Sequence, residues 1–202
     1  HKDRLISVSL ETDNVRQMQA YLLSKGIIPT KDPYTDGAGN RVMTVVDPSG
    51  VPIEFIEYTD RSLHVMSKTK HLSNRRVATR LHHAGLYCRQ MQDDPLFYTD
   101  ILHFQRVLRH PALAEQGEPE ILYFRIPESA EMIEHYPTTD RNFSHPCFLT
   151  MDLQETISIL RKRRKTEALP APAIGLGKRW LLNLWNADGT KVEFTEPYIS
   201  VF

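Results

Sequence analysis

The sequence predicts an α+β protein assembled from copies of one unit: a strand, a helix, then strands that end in a tight turn. Three observations carry that expectation. Asp47-Pro48-Ser49-Gly50-Val51-Pro52-Ile53-Glu54-Phe55-Ile56-Glu57 is matched position by position by Asn186-Ala187-Asp188-Gly189-Thr190-Lys191-Val192-Glu193-Phe194-Thr195-Glu196, the signature of an internal repeat. Short runs such as Leu5–Glu11 alternate apolar and polar residues, the period of a half-buried strand. Between such runs lie stretches whose apolar residues recur at helical spacing, as Val15, Met18 and Leu22 do.

In chain order, Leu5–Glu11 reads as the first strand. Asp13 is the expected cap of a helix over Val15–Ser24, and Gly26 its stop. Arg41–Val46 and Val51–Tyr58 form a hairpin closed by the Gly50 turn, completing a unit over residues 1–58. Residues 59–80 break the rhythm with Arg61, Lys68, Lys70, Arg75, Arg76 and Arg80. With no stacking aromatics among these cations, the segment reads as a surface linker rather than a polyanion-binding arm. A second unit starts at Leu81-His82-His83-Ala84-Gly85-Leu86-Tyr87. It continues through a helix over Pro95–Leu102 and strands near Phe104–Leu108, Ile121–Ile126 and Glu131–Tyr136. The third opens at Ser144–Leu149, has its helix over Leu153–Arg164, crosses a Pro/Ala loop at Leu169–Ala173, and closes with Arg179–Trp185 and Lys191–Glu196. The run Arg161-Lys162-Arg163-Arg164-Lys165 ends that helix, where cations complement the negative end of its dipole.

Composition narrows the function classes. Lys plus Arg equals Asp plus Glu at 25 each, so overall charge gives no reason to expect nucleic acid or an acidic membrane as partner. No apolar run approaches the roughly 18 residues of a membrane helix. The opening His1-Lys2-Asp3-Arg4 is followed by no secretory apolar segment and reads as a start within a longer protein. Cys88 and Cys147 do not make a disulfide framework and leave the compartment open. The expected partner is a small-molecule substrate, and homo-oligomer formation is left open.

The chemistry concentrates where units two and three correspond. The first strand of each carries a histidine, His83 and His145; the last strand of each carries a carboxylate, Glu134 and Glu193, at nearly equal separations. If the units pack as a pseudo-twofold pair, the four side chains converge. Two buried carboxylates are costly unless neutralised, and a divalent cation (Zn, Ni, Fe, Mn or Co) neutralises both and accepts mixed N/O donors. His82, His103, His110 and His135 have no such duplicated address and read as core or surface residues; His82 is expected to face the opposite side of its strand from His83. Cys147 shares the His145 face and reads as packing.

The strand start His83-Ala84-Gly85-Leu86, the stretch Phe97-Tyr98-Thr99-Asp100-Ile101-Leu102-His103-Phe104 and the turn Asp188-Gly189-Thr190-Lys191-Val192-Glu193-Phe194 resemble the vicinal oxygen chelate superfamily, which includes glyoxalase I, extradiol dioxygenases, epimerases and bleomycin- or fosfomycin-resistance proteins. The resemblance covers nearly all of the chain outside the linker. It implies βαβββ units paired into a cup-shaped mixed sheet, with residues 81–202 as a complete two-unit domain and His83, Glu134, His145 and Glu193 as the metal ligands. A His/Glu/His/Glu set looks most like the glyoxalase-type lyases and related isomerases. In such a reaction the cation polarises a substrate carbonyl while Glu134 or Glu193 moves a proton. The resemblance also admits an extradiol-type dioxygenase, although those enzymes use two histidines and one glutamate. They commonly place a tyrosine ten residues before the last-strand glutamate, where this chain has Asn183. A non-catalytic protein that sequesters a small molecule is the competing class.

Unit one departs from the pattern: it keeps Glu54 but has Ser7 at the histidine position, so a site there lacks a strong donor. It resembles the second half of a pair, its first half expected upstream of His1, and it is therefore expected to expose an apolar sheet face unless another chain covers it. Substrate contacts are expected from Asn183, Arg179 and Trp185, which share a strand face; Lys178 and Arg179, beyond Gly175 and Gly177, are candidates for binding an acidic group.

Overall fold

The computed structural model describes residues 5–89, 93–110, 121–137, 143–163, 168–176 and 178–197. His1, Lys2, Asp3, Arg4, Arg164, Lys165 and Gly177 of the readings above lie outside them. The chain forms strands β1 (Val8–Glu11), β2 (Lys31–Thr35), β3 (Arg41–Val46), β4 (Pro52–Glu57), β5 (Arg80–Cys88), β6 (Gln105–His110), β7 (Ile121–Arg125), β8 (Met132–Pro137), β9 (Phe143–Leu149), β10 (Ala173–Ile174), β11 (Trp180–Trp185) and β12 (Lys191–Thr195). Helices are α1 (Val15–Ser24), α2 (Leu63–Ser67), α3 (Asp93–Leu96, continued by a π-helical turn Phe97–Ile101) and α4 (Leu153–Arg163). They divide into two compact units, one of Leu5–Asn74 with Arg89–His103, the other containing Arg75–Cys88 and the chain from Phe104 onward.

The first unit is a four-stranded sheet of order β1-β4-β3-β2, with β1 parallel to β4 and the other pairs antiparallel. Helix α1 packs on β3 and β4, and Val15, Leu22, Met43, Val45, Ile53 and Phe55 are buried. Its cap is Asn14 rather than Asp13: the Asn14 side chain accepts from Gln17 N at 3.0 Å, satisfying a donor the first turn leaves free. Gly26 follows the helix at φ +78°, a conformation glycine adopts without steric cost. In the hairpin turn Asp47 accepts from Val51 N at 2.7 Å and from the Tyr98 hydroxyl at 3.0 Å, tying the turn to α3. The opposite sheet face is mixed, with Val42 and Ile56 buried on it. Exposed Ser9 and half-buried Thr44 and Glu54 lie near its middle, and Ser9 donates to Glu54 at 2.7 Å. The expected linker also contains structure, because Ser62 caps α2 by accepting from Val65 N at 3.3 Å.

The second unit is an eight-stranded sheet of order β10-β11-β12-β9-β5-β8-β7-β6. Each half, β5-β8-β7-β6 and β9-β12-β11-β10, repeats the order of the first sheet, and the halves join along antiparallel β5 and β9. Helix α4 buries Leu153 and Ile157 against Leu182, with Leu160, Leu184 and Phe194 around them. Strand register gives the repeat an atomic address. Ser9, Gly85 and Cys147 stand opposite Glu54, Glu134 and Glu193, so Ser7, His83 and His145 each lie two residues before that pairing position. Among the described residues no helix is long and apolar enough to cross a membrane, a statement that leaves strands aside.

Candidate metal centre

Four side chains from the four inner strands of the eight-stranded sheet meet where its halves join. His83 on β5 and His145 on β9 bring their Nε2 atoms to 3.2 Å. Glu134 Oε2, from β8, lies 3.1 Å from His83 Nε2 and 3.4 Å from His145 Nε2. Glu193, from β12, places Oε1 3.9 Å from His83 Nε2 and Oε2 3.6 Å from His145 Nε2. All four residues are buried. His83, His145 and Glu193 together can each offer a ligand atom within 4.8 Å of the others.

These donors fit a divalent cation. With metal–ligand bonds near 2.1 Å, neighbouring ligand atoms are separated by about 3.0 Å in an octahedron and about 3.4 Å in a tetrahedron. The observed separations, 3.1 to 3.9 Å, straddle and slightly exceed that range. Glu134 Oε2 is buried beside both imidazoles yet has no hydrogen bond of proper geometry, the kind of orphaned charge a cation would satisfy.

Several neighbours hold the donors in place. Gly85 lies opposite both His145 and Glu134, and a β-carbon there would stand 2.7 Å from His145 Nδ1; only hydrogen at this position leaves room for the ring. Tyr123, opposite Glu134 on β7, donates its hydroxyl to Glu134 Oε1. Cys147 donates its thiol to Glu193 Oε1 at 3.3 Å, so it orients a carboxylate as well as packing. His82 differs from its expected role. A register shift between Leu81 and His83 lets its ring reach the same side, with Nδ1 2.8 Å from His83 Nδ1, while Arg179 Nη1 lies 2.7 Å from His82 Nε2. A guanidinium can only donate, so His82 Nε2 accepts from Arg179. His135, by contrast, keeps the expected core role, its ring 5.0 Å from that of Phe124.

Burial sets the protonation of the cluster. The His145 imidazole is held down to about 3 by burial and then by the Lys191 charge. His82 is held down to about 2 by burial and then Arg179, and His135 to about 3 by burial. Burial alone would raise the Glu134 carboxyl, but His83, and then His145 and Tyr123, outweigh it and the net direction is down. Burial, reinforced by Glu134, pushes Tyr123 upward, and burial with Glu193 does the same to Cys147, so both remain hydrogen donors.

Above the donors opens a cavity of about 330 Å³ whose lining includes Tyr123, Glu134, Tyr136, Asn183, Lys191 and Glu193. Of the expected substrate contacts, Asn183 and Arg179 line it. Trp185 does not: it is 54% exposed and borders a separate hollow with Leu160 and Leu184. Sequence reasoning missed Tyr123, His82, Gly85 and Lys191 as site residues. Lys191 and Tyr123 had a readable signal, one lying two residues before Glu193 on the same strand face and the other at nearly the same offset from Glu134 that Asn183 has from Glu193.

By sequence the chain matches no family model and no curated protein. By structure it is similar to a Mn(II)-bound glyoxalase from Novosphingobium aromaticivorans, with TM-score 0.73 and 17% identity over 98% of this chain and 64% of that one. It is equally similar, at TM-score 0.73 and 16% identity over 94% of this chain and 69% of that one, to the 2,3-dioxygenase LapB from Pseudomonas sp. KL28. The fold is that of the vicinal oxygen chelate superfamily. Methylmalonyl-CoA epimerase from Mycobacterium tuberculosis is also similar, at TM-score 0.51 and 17% identity, over 63% of this chain and 94% of that one. This chain thus spans about two thirds of the length of the glyoxalase and dioxygenase it resembles.

Proposed function

We propose that the protein is a metal-dependent vicinal oxygen chelate enzyme, a glyoxalase-like lyase or isomerase acting on a small substrate with adjacent oxygens. The observation that carries this reading is the meeting of two imidazoles and two carboxylates beneath a cavity, one carboxylate oxygen lacking any hydrogen bond. His83, His145, Glu134 and Glu193 would hold a divalent ion (Zn, Ni, Fe, Mn or Co). Bound there, such an ion supplies Lewis acidity, polarising a carbonyl and holding vicinal oxygens.

The chain's own groups then divide the work. His83 and His145 stay in place, fixed by His82 and by the space at Gly85. Glu193 is steadied by the Cys147 thiol. Glu134, kept ionised and tethered through its other oxygen to Tyr123, takes the proton from the carbon beside the substrate carbonyl and returns it to the neighbouring carbon. The Tyr123 hydroxyl stays protonated throughout and limits how far Glu134 swings.

Replacing Glu134 by Gln tests this: metal retained with turnover of 2-oxoaldehyde adducts lost supports the proton-transfer role, while unchanged turnover removes it. A ring-cleaving dioxygenase is the second reading, favoured by the separate convergence of His83, His145 and Glu193, since two histidines and one carboxylate suit non-haem Fe(II). Oxygen consumption by the Fe(II)-loaded protein on catechols, with none of the lyase activity, would decide for it. Retention of ligand by carefully demetallated protein, with no turnover, would decide for a sequestering protein instead.

A further inference from the structure

We propose that the substrate carries an anionic group, a carboxylate or its equivalent, beside its vicinal oxygens, and that Lys191 is the residue that holds it. The inference rests on the metal-dependent reading above and adds a substrate class to it. Lys191 lies two residues before Glu193 on β12, so the two side chains share the face toward the cavity. Its Nζ stands 3.6 Å from Glu193 Oε2, and its side chain is only 18% exposed.

Charge matching supplies the argument. In the metal-free protein Glu193 serves as the counterion of Lys191. Once a divalent ion takes the two carboxylates, their charges are spent on it, and the ammonium is left facing a partly desolvated cavity. A half-buried cation without a counterion is unfavourable, and a substrate anion restores the balance. Lysine suits this position because its ammonium is a compact charge on a flexible stem, able to leave Glu193 for a ligand a few ångströms away. The Asn183 side-chain oxygen is buried, has no hydrogen-bond partner, and lines the same cavity opposite Glu193, offering an acceptor for a substrate hydroxyl. The volume, about 330 Å³, lies at the small end of ligand pockets, which favours a few-carbon acid or a single ring over a large conjugate.

The test uses Zn(II)-loaded protein and an isosteric pair, 2,3-dihydroxybenzoate and 2,3-dihydroxybenzamide, which share vicinal oxygens and differ in charge. Titration calorimetry should show the acid binding at least tenfold more tightly than the amide. Lys191→Met should abolish that preference while leaving metal stoichiometry and amide affinity in place, and Lys191→Arg should keep most of it. Equal affinities in the unaltered protein, or a preference that survives Lys191→Met, would overturn the proposal. Metal uptake measured separately distinguishes this failure from failure of the underlying reading: protein that takes up no Zn(II) overturns both.

Discussion

Replacing Gly85 by alanine isolates the positioning of His145 from its chemistry. The new β-carbon would stand 2.7 Å from His145 Nδ1, 2.8 Å from its Cε1 and 3.2 Å from Ser144 Cβ. Comfortable contact begins near 3.5 Å, so the imidazole must retreat by about 0.8 Å. Sites tolerate misplacement of about 0.5 Å, and outer-shell changes at metal sites typically cost about 10- to 100-fold in affinity, roughly 1.4 to 2.8 kcal/mol. Overpacking should also destabilise the fold by about 1 to 3 kcal/mol without unfolding it. Competition of the protein with a chromophoric chelator for Zn(II) measures the first effect, and circular dichroism with urea unfolding measures the second. Gly37→Ala is the control, since a β-carbon there meets nothing within 4 Å. A folded Gly85→Ala protein with unaltered Zn(II) affinity would refute the reasoning that this glycine makes room for a ligand.

Removing the Tyr123 hydroxyl with Tyr123→Phe deprives Glu134 Oε1 of its donor, a loss of about 1 to 3 kcal/mol. Turnover should fall more than metal affinity does, as kcat against chelator competition would show. Acid should destabilise the metal-free protein. His82, His135 and His145 stay neutral in the fold down to about 2, 3 and 3, whereas the unfolded chain protonates them below about 6.5, so stability falls as pH drops from about 6.5 toward 3. Urea midpoints across that window should decline, by up to about 1.4 kcal/mol per pH unit for each histidine. In the first unit, Asp47→Ala removes an acceptor of both Val51 N and Tyr98 and should cost about 1 to 3 kcal/mol. Asn186→Ala, at the exposed equivalent turn, should stay within about 0.5 kcal/mol, and chemical denaturation compares the two.

The repeat and the meeting of His83, Glu134, His145 and Glu193 were legible because strand alternation and tight turns are local signals, and duplication placed identical residue types at matching register. What escaped depends on non-local geometry. β2 contains Pro33 and is mostly exposed, and β10 is two residues long, so neither carries an alternation worth reading. His82 escaped because a register shift, invisible in composition, carries it to the face of its neighbour. Trp185 was misplaced because sharing a strand face with Asn183 says nothing of where the cavity ends. Gly85 was visible as part of a motif, but its reason, the imidazole across the strand pair, belongs to β9.

One cation is expected to sit among His83, Glu134, His145 and Glu193. Equilibrium dialysis with metal quantified by mass spectrometry tests it most directly. The unaltered protein should retain one divalent ion per chain, and the double substitution His83→Ala with His145→Ala should retain none while circular dichroism shows the fold intact. A protein that holds no metal under these conditions, or a double variant that holds as much as its parent, would contradict the account.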